Sequence, residues 1–144
     1  MIRILALCAA LAACPASAYQ AVAILEGTAR VVDGDGLRIG GQEVRLQGIA
    51  APEWDDRGGA QATAALRSMA EGRHVVCQLD GTTTYDRVVG RCSIEGQDVG
   101  AALVLGGFAL DCPRYSRGDY RRFEAAARAA GRDLTRVYRR PGYC

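Results

Sequence analysis

The chain is 144 residues long, 49% hydrophobic and 24% charged, with a formal net charge of +2. That length allows one domain with a single core, and no repeat, low-complexity tract or interdomain linker interrupts it. A balance so near neutral excludes binding of polyanions by bulk charge alone.

Met1-Ile2-Arg3, the apolar run from Ile4 to Ala13 and the small residues Ala16-Ser17-Ala18 have the charged start, short apolar stretch and cleavage site of a secretory signal. The run is too short to span a bilayer. Residues 1–18 are therefore read as a signal peptide and residues 19–144 as the mature domain, secreted or periplasmic, without stable membrane insertion and expected to be a monomer. An alternative stays open: Leu11-Ala12-Ala13-Cys14 resembles a lipoprotein processing site, which would leave a lipid-anchored Cys14.

The elements follow in order. Ala21 to Ile24, Ala29 to Val32, Leu37 to Ile39 and Glu43 to Ile49 read as short strands. In the last of these Val44, Leu46 and Gly48 alternate with Glu43, Arg45 and Gln47, so Arg45 projects from one face of a rigid element. A helix is expected from Ala60 to Ala70, with Ala62, Leu66, Met69 and Ala70 at helical spacing and Gly72 ending it. Two strands, Val75 to Leu79 and Arg87 to Ile94, flank the polar turn Asp80-Gly81-Thr82-Thr83-Thr84. A helix from Val99 to Leu105 closes on Gly106-Gly107, and the last runs from Asp119 to Ala130, capped by Asp119 or Ser116 and stopped by Gly131. Periodicity alone gives an α+β class.

Loss of the signal leaves Cys77, Cys92, Cys112 and Cys144, an even set in an exported domain. Two disulfides are expected: Cys77–Cys92, side by side across the hairpin, and Cys112–Cys144, tying down the tail. A zinc site is disfavoured, since there is no Cys-x-x-Cys and His74 is the only histidine. His74 opens an apolar strand and reads as a packed residue. All 18 basic residues are arginines. Nine lie between Arg114 and Arg140 against Asp119, Glu124 and Asp133, a formal +6, whereas residues 19–113 carry a formal −5. The basic segment reads equally as a steering face or as a solvated amphipathic helix surface.

The chemistry gathers around the turn Asp33-Gly34-Asp35-Gly36, then Arg45, then Pro52-Glu53, with Tyr85-Asp86-Arg87 further on. Hydrolysis of a phosphodiester needs a cation site, a phosphate clamp and a base for water, and these residue types supply all three. The competing readings, that Asp33 and Asp35 only stabilise a turn and that Arg45 and Glu53 form a surface ion pair, are the less favoured ones.

These segments resemble the thermonuclease family of the staphylococcal nuclease type, whose turn is Asp-Gly-Asp-Thr and whose strand is Val-Arg-Leu-x-Gly-Ile-Asp-Ala-Pro-Glu. Leu103 to Ala109 and Glu124 to Arg128 are also similar to the family's Leu-Val-x-x-Gly-x-Ala and Glu-x-x-Ala-Arg segments. The resemblance runs from about Gly27 to about Gly131. It implies a five-stranded oligonucleotide/oligosaccharide-binding (OB) barrel with about three helices. It also implies a calcium-dependent nuclease acting on DNA or RNA, with Asp35 holding Ca2+, Glu53 as the base, and Arg45 and Arg87 clamping the phosphate. Tyr85 and Tyr115 would bind substrate.

The chain departs from the family at Ala50, where the second metal-binding carboxylate is missing; the neighbouring ligand, a main-chain carbonyl, survives at Ala51. Calcium takes about 6–8 oxygens, so the site should be weakened. Asp33, Asp55 and Asp56 are candidates to compensate. For the second clamp position Arg87 is preferred because Tyr85-x-Arg87 aligns with the family's Tyr-Gly-Arg, although Gly90-Arg91 also makes a Gly-Arg pair and Asp86 replaces that glycine. The alternative function is a barrel of weakened catalysis acting as a nucleic-acid-binding or envelope-associated module.

Overall fold

The computed structural model describes residues 22–144; the signal-like segment, with Cys8 and Cys14, lies outside the described residues. From Val22 the chain forms β1 (Ala23–Val31), β2 (Gly36–Ile39), β3 (Gln42–Leu46), β4 (Ile49–Ala50) and α1 (Gly59–Ala70). There follow β5 (His74–Thr84), β6 (Arg87–Ile94), β7 (Gln97–Asp98), α2 (Val99–Gly106), β8 (Leu110–Asp111), α3 (Pro113–Ser116) and α4 (Arg121–Ala129).

Antiparallel neighbours run in the order β3-β2-β1-β5-β6, and a parallel pairing of β3 with β6 closes the ring, with Val44 opposite Val88 and Arg45 opposite Val89. This is a closed mixed barrel of five strands in an α+β protein, the expected OB-type architecture; closure leaves its strands no free edges. The barrel fills with Leu37, Val44, Leu46, Val75, Cys77 and Cys92, against which α1 packs Ala62 and Leu66 and α2 packs Leu103 and Val104. Apolar residues at alternate strand positions and at every third or fourth helix position produce this single core. Cys77 lies directly opposite Cys92 on the β5–β6 ladder and is bonded to it; Cys112 is bonded to Cys144.

Several boundaries differ from the sequence reading. The first two strands are one, β1. The polar run from Asp80 to Thr84 is not the hairpin turn: it continues β5, with a register shift between Leu79 and Thr83, and the turn falls at Tyr85-Asp86. Tyr85 takes the left-handed φ of 51° there, while the β-branched threonines suit extended backbone. β3 stops at Leu46 because Gly48 turns the chain at φ 77°, and a Cβ on it would stand 2.9 Å from that of Ser116. The short helix α3 is a fourth helix. α4 starts at Arg121 without a side-chain cap, because both expected caps are engaged elsewhere: Ser116 with Asp111 and Asp119 with Arg91. His74 is exposed beside Glu26 rather than packed.

Candidate active site

The β1–β2 turn carries both early aspartates. Asp33 Oδ1 accepts the backbone N–H of Asp35 at 3.1 Å, a local bond typical of aspartate turns. Asp35 is buried and faces the outer side of β3, where Arg45 Nη1 lies 2.8 Å from its Oδ2. The same guanidinium donates to the carbonyls of Leu46 and Ile49, both at 3.1 Å. Burial pushes the Asp35 carboxyl up to about 6, with Asp33 and Glu53 adding to the rise and Arg45 and the Ala51 N–H opposing it. Desolvation therefore outweighs even a close guanidinium.

Arg87, at the start of β6, points its Nη1 to within 3.9 Å of Asp33 Oδ2. Because β3 and β6 pair in parallel, Arg45 and Arg87 reach the aspartate turn from adjacent strands. Arg91 is held away from the turn, bonded to Asp119 at 2.8 Å and stacked 5.2 Å from the Tyr120 ring centroid. Geometry thus brings Arg87, not Arg91, to the site. Tyr85 is 92% exposed at the β5–β6 turn and Tyr115 is 51% exposed on α3.

Glu53 sits on the exposed loop between β4 and α1. Its carbonyl accepts from Asp56 N at 2.9 Å, and a Cβ on Gly59 would fall 1.7 Å from that carbonyl oxygen, so only glycine lets the loop lie on the start of α1. The sequence reading missed Tyr138, which donates its hydroxyl to the Ala51 carbonyl at 3.2 Å. Desolvation, then the charges of neighbouring groups including Asp35, Glu53 and Asp56, push the Tyr138 hydroxyl up to about 12, so it stays a donor. Nothing in the motif pattern marks it, since the contact spans 87 residues. Trp54, the residue after Glu53, is 62% exposed.

The expected calcium donors do not fit calcium as they stand. Asp35 is paired with Arg45, Ala50 is fully buried and offers no side-chain oxygen, and the Ala51 carbonyl already accepts the Tyr138 hydroxyl on one of its two lone pairs. Among the described residues no three His, Cys, Asp or Glu side chains come together to hold a metal, so Asp33, Asp55 and Asp56 do not restore the set. A hard cation needs more oxygens than this.

Fold and site together define an OB-type barrel bearing an arginine and carboxylate cluster suited to phosphate esters. Residues 43–135 match the family of staphylococcal nuclease homologues, and the chain belongs to that family. It is also similar to the succinoglycan biosynthesis protein ExoI of Rhizobium meliloti (strain 1021), with 32% identity over 123 residues, 77% of this chain and 64% of that protein. The chain spans less than two thirds of that relative's length.

Proposed function

We propose that this domain binds nucleic acid through its phosphodiester backbone and hydrolyses it slowly, outside the cytoplasm. The carrying observation is the approach of Arg45 and Arg87 to the Asp33–Asp35 turn from paired strands, with Glu53 on the loop beside it. A phosphodiester is an anion that repels hydroxide until guanidiniums neutralise it, and a planar fork engages two of its oxygens at once. Arg45 is held in place by two carbonyls and Asp35, so its orientation costs nothing when substrate arrives. Glu53 is exposed and takes the proton of the attacking water. Two disulfides support an oxidising compartment, and no helix among the described residues is long and apolar enough to cross a membrane.

Calcium is the family's cation, but with no carboxylate at Ala50 the donors present do not fit it. That deficit, with the Tyr138 cap on Ala51, favours a second reading in which the barrel binds without cleaving. The relative is named for succinoglycan biosynthesis, not for a nuclease activity, which adds to that reading. Activity of the mature chain on DNA and RNA, titrated with calcium, decides between them. Glu53→Gln is expected to lower turnover about 10²–10⁴-fold, the range for a positioned acid–base group. Arg45→Lys is expected to be severe through loss of the fork, and Arg91→Lys mild. Single-stranded DNA that is bound but never cleaved at any calcium concentration would select the binding module.

A further inference from the structure

The outer face of the β3–β6 pair continues beyond the clamp. Side chains at alternate positions share a face, which sets Arg45 with Gln47 on β3 and its extension, and Arg87, Val89 and Arg91 on β6. Arg91 lies four residues from Arg87, about 13 Å along an extended strand. At that far end is a pocket of about 340 Å³ lined by Gln47, Arg91, Arg114, Tyr115, Arg117 and Asp119, among others. Three guanidiniums face one carboxylate. Asp119 is taken by Arg91, whose buried Nε, without a hydrogen-bond partner, lies 3.8 Å from a second carboxylate, Asp98, so Arg91 is already neutralised within the fold. Among the described residues the ion pairs engage neither Arg114 nor Arg117, both exposed.

The two guanidiniums are carried by a constrained backbone. Arg114 N donates to the Cys144 carbonyl at 2.9 Å, Ser116 N to the Cys112 carbonyl at 2.9 Å, and Arg117 closes α3 in the left-handed region at φ 58°. Arg114 also stands 5.8 Å from the Tyr115 ring centroid. An exposed tyrosine thus stands at each end of the track, Tyr85 near Arg87 and Tyr115 at the pocket. Flat aromatic faces interleaved with arginines suit a polymer of bases and phosphates, because any base stacks on a π-face.

We propose that this pocket is a second anion subsite, in which Arg114 and Arg117 hold a phosphate of the same single strand whose scissile phosphodiester lies at Arg45 and Arg87. The inference rests on the nucleic-acid reading given above and names the form of its substrate: a single-stranded oligonucleotide long enough to span both sites, within the roughly 4–16 nucleotides that an OB barrel covers.

The test measures binding of thymidylate oligomers of three and twelve nucleotides by fluorescence anisotropy across a salt series. The R114A/R117A protein is expected to bind the twelve-mer at least tenfold more weakly and to lose about 0.7 from the salt slope for each phosphate contact removed. Its binding of the three-mer at the clamp should be unchanged. The R30A/R67A protein, which makes the same charge change away from the track, should bind both oligomers as wild type does. Unchanged twelve-mer binding in R114A/R117A, or equal weakening in R30A/R67A, overturns the subsite and leaves the nucleic-acid reading standing. A wild-type protein that binds neither oligomer overturns both; if it instead binds an acidic polysaccharide through Arg114 and Arg117, the ligand is a glycan.

Discussion

Asp35 carries a pH dependence whose sign follows from its burial. Its folded-state carboxyl titrates near 6, above the ordinary carboxylate range, mainly because it is desolvated. Between pH about 4 and 6 the folded protein therefore holds a proton that the unfolded chain has released, so this group's contribution to stability falls as the pH rises through that window. The full swing is on the order of 3 kcal/mol at about 1.4 kcal/mol per pH unit. Denaturant melts of wild type and Asp35→Asn from pH 4 to 7 should show their difference in stability moving steadily against wild type until about pH 6 and flat above it. A constant difference would mean that Arg45 holds the carboxylate charged throughout. At the neighbouring positions, Ala50→Asp should lower the calcium concentration for half-saturation about tenfold, as one added ligand charge strengthens the site. Tyr138→Phe on that background should lower it further by freeing the Ala51 carbonyl. Calorimetric titration that shows no calcium binding in either variant would remove calcium from the account.

Among the elements, α1 and the Glu53 loop are locked together by one close approach. Gly59→Ala forces a Cβ into the Glu53 carbonyl, backbone against backbone, with no flexible group to yield. The expected result is a loss of about 1–3 kcal/mol and displacement of Glu53, so that activity falls toward the level of Glu53→Gln. Ala60→Gly, at the next and exposed position, should cost only about 1 kcal/mol and leave activity intact. Elements of this kind differ in how far the sequence announces them. The strand around Arg45 was legible because Val44 and Leu46 alternate with polar neighbours, and α1 because Ala62, Leu66 and Ala70 keep helical spacing. The extension of β5 was not, since a polar threonine run bears no apolar alternation and only its pairing with β6 makes it a strand. Arg87 is preferred to Arg91 on its place after Tyr85, but strand alternation puts both on one face, and what separates them in space is the aspartate turn, which only Arg87 approaches. Tyr138 was invisible for a related reason, because a tail residue reaches Ala51 through the fold alone.

On the scale of the whole molecule, the tail is latched at three points. Cys144 is bonded to Cys112, Arg140 grips both oxygens of the buried Glu124 at 2.7 Å, and Tyr138 reaches Ala51. Glu124 also accepts from Asp111 N and Arg128, which ties α4 and β8 to the same hub. The Cys112–Cys144 bond closes the longer loop, a sequence separation of 32 against 15 for Cys77–Cys92, so its loss should release more chain entropy, about 2–4 kcal/mol in all. The two disulfides should also differ in their reach. Cys77–Cys92 staples a ladder that the β5–β6 hydrogen bonds already hold in register. Cys112–Cys144 supports the track at both ends, through Arg114, whose N–H rests on the Cys144 carbonyl, and through Tyr138 at Ala51. The C112S/C144S protein, kept below its lowered melting temperature and judged folded by circular dichroism, should therefore bind the twelve-nucleotide oligomer several-fold more weakly, with faster amide exchange at residues 137–144. The C77S/C92S protein should melt earlier yet bind as wild type does. Equal binding by the two variants would show that the tail latch stabilises the barrel without shaping the surface that meets its ligand.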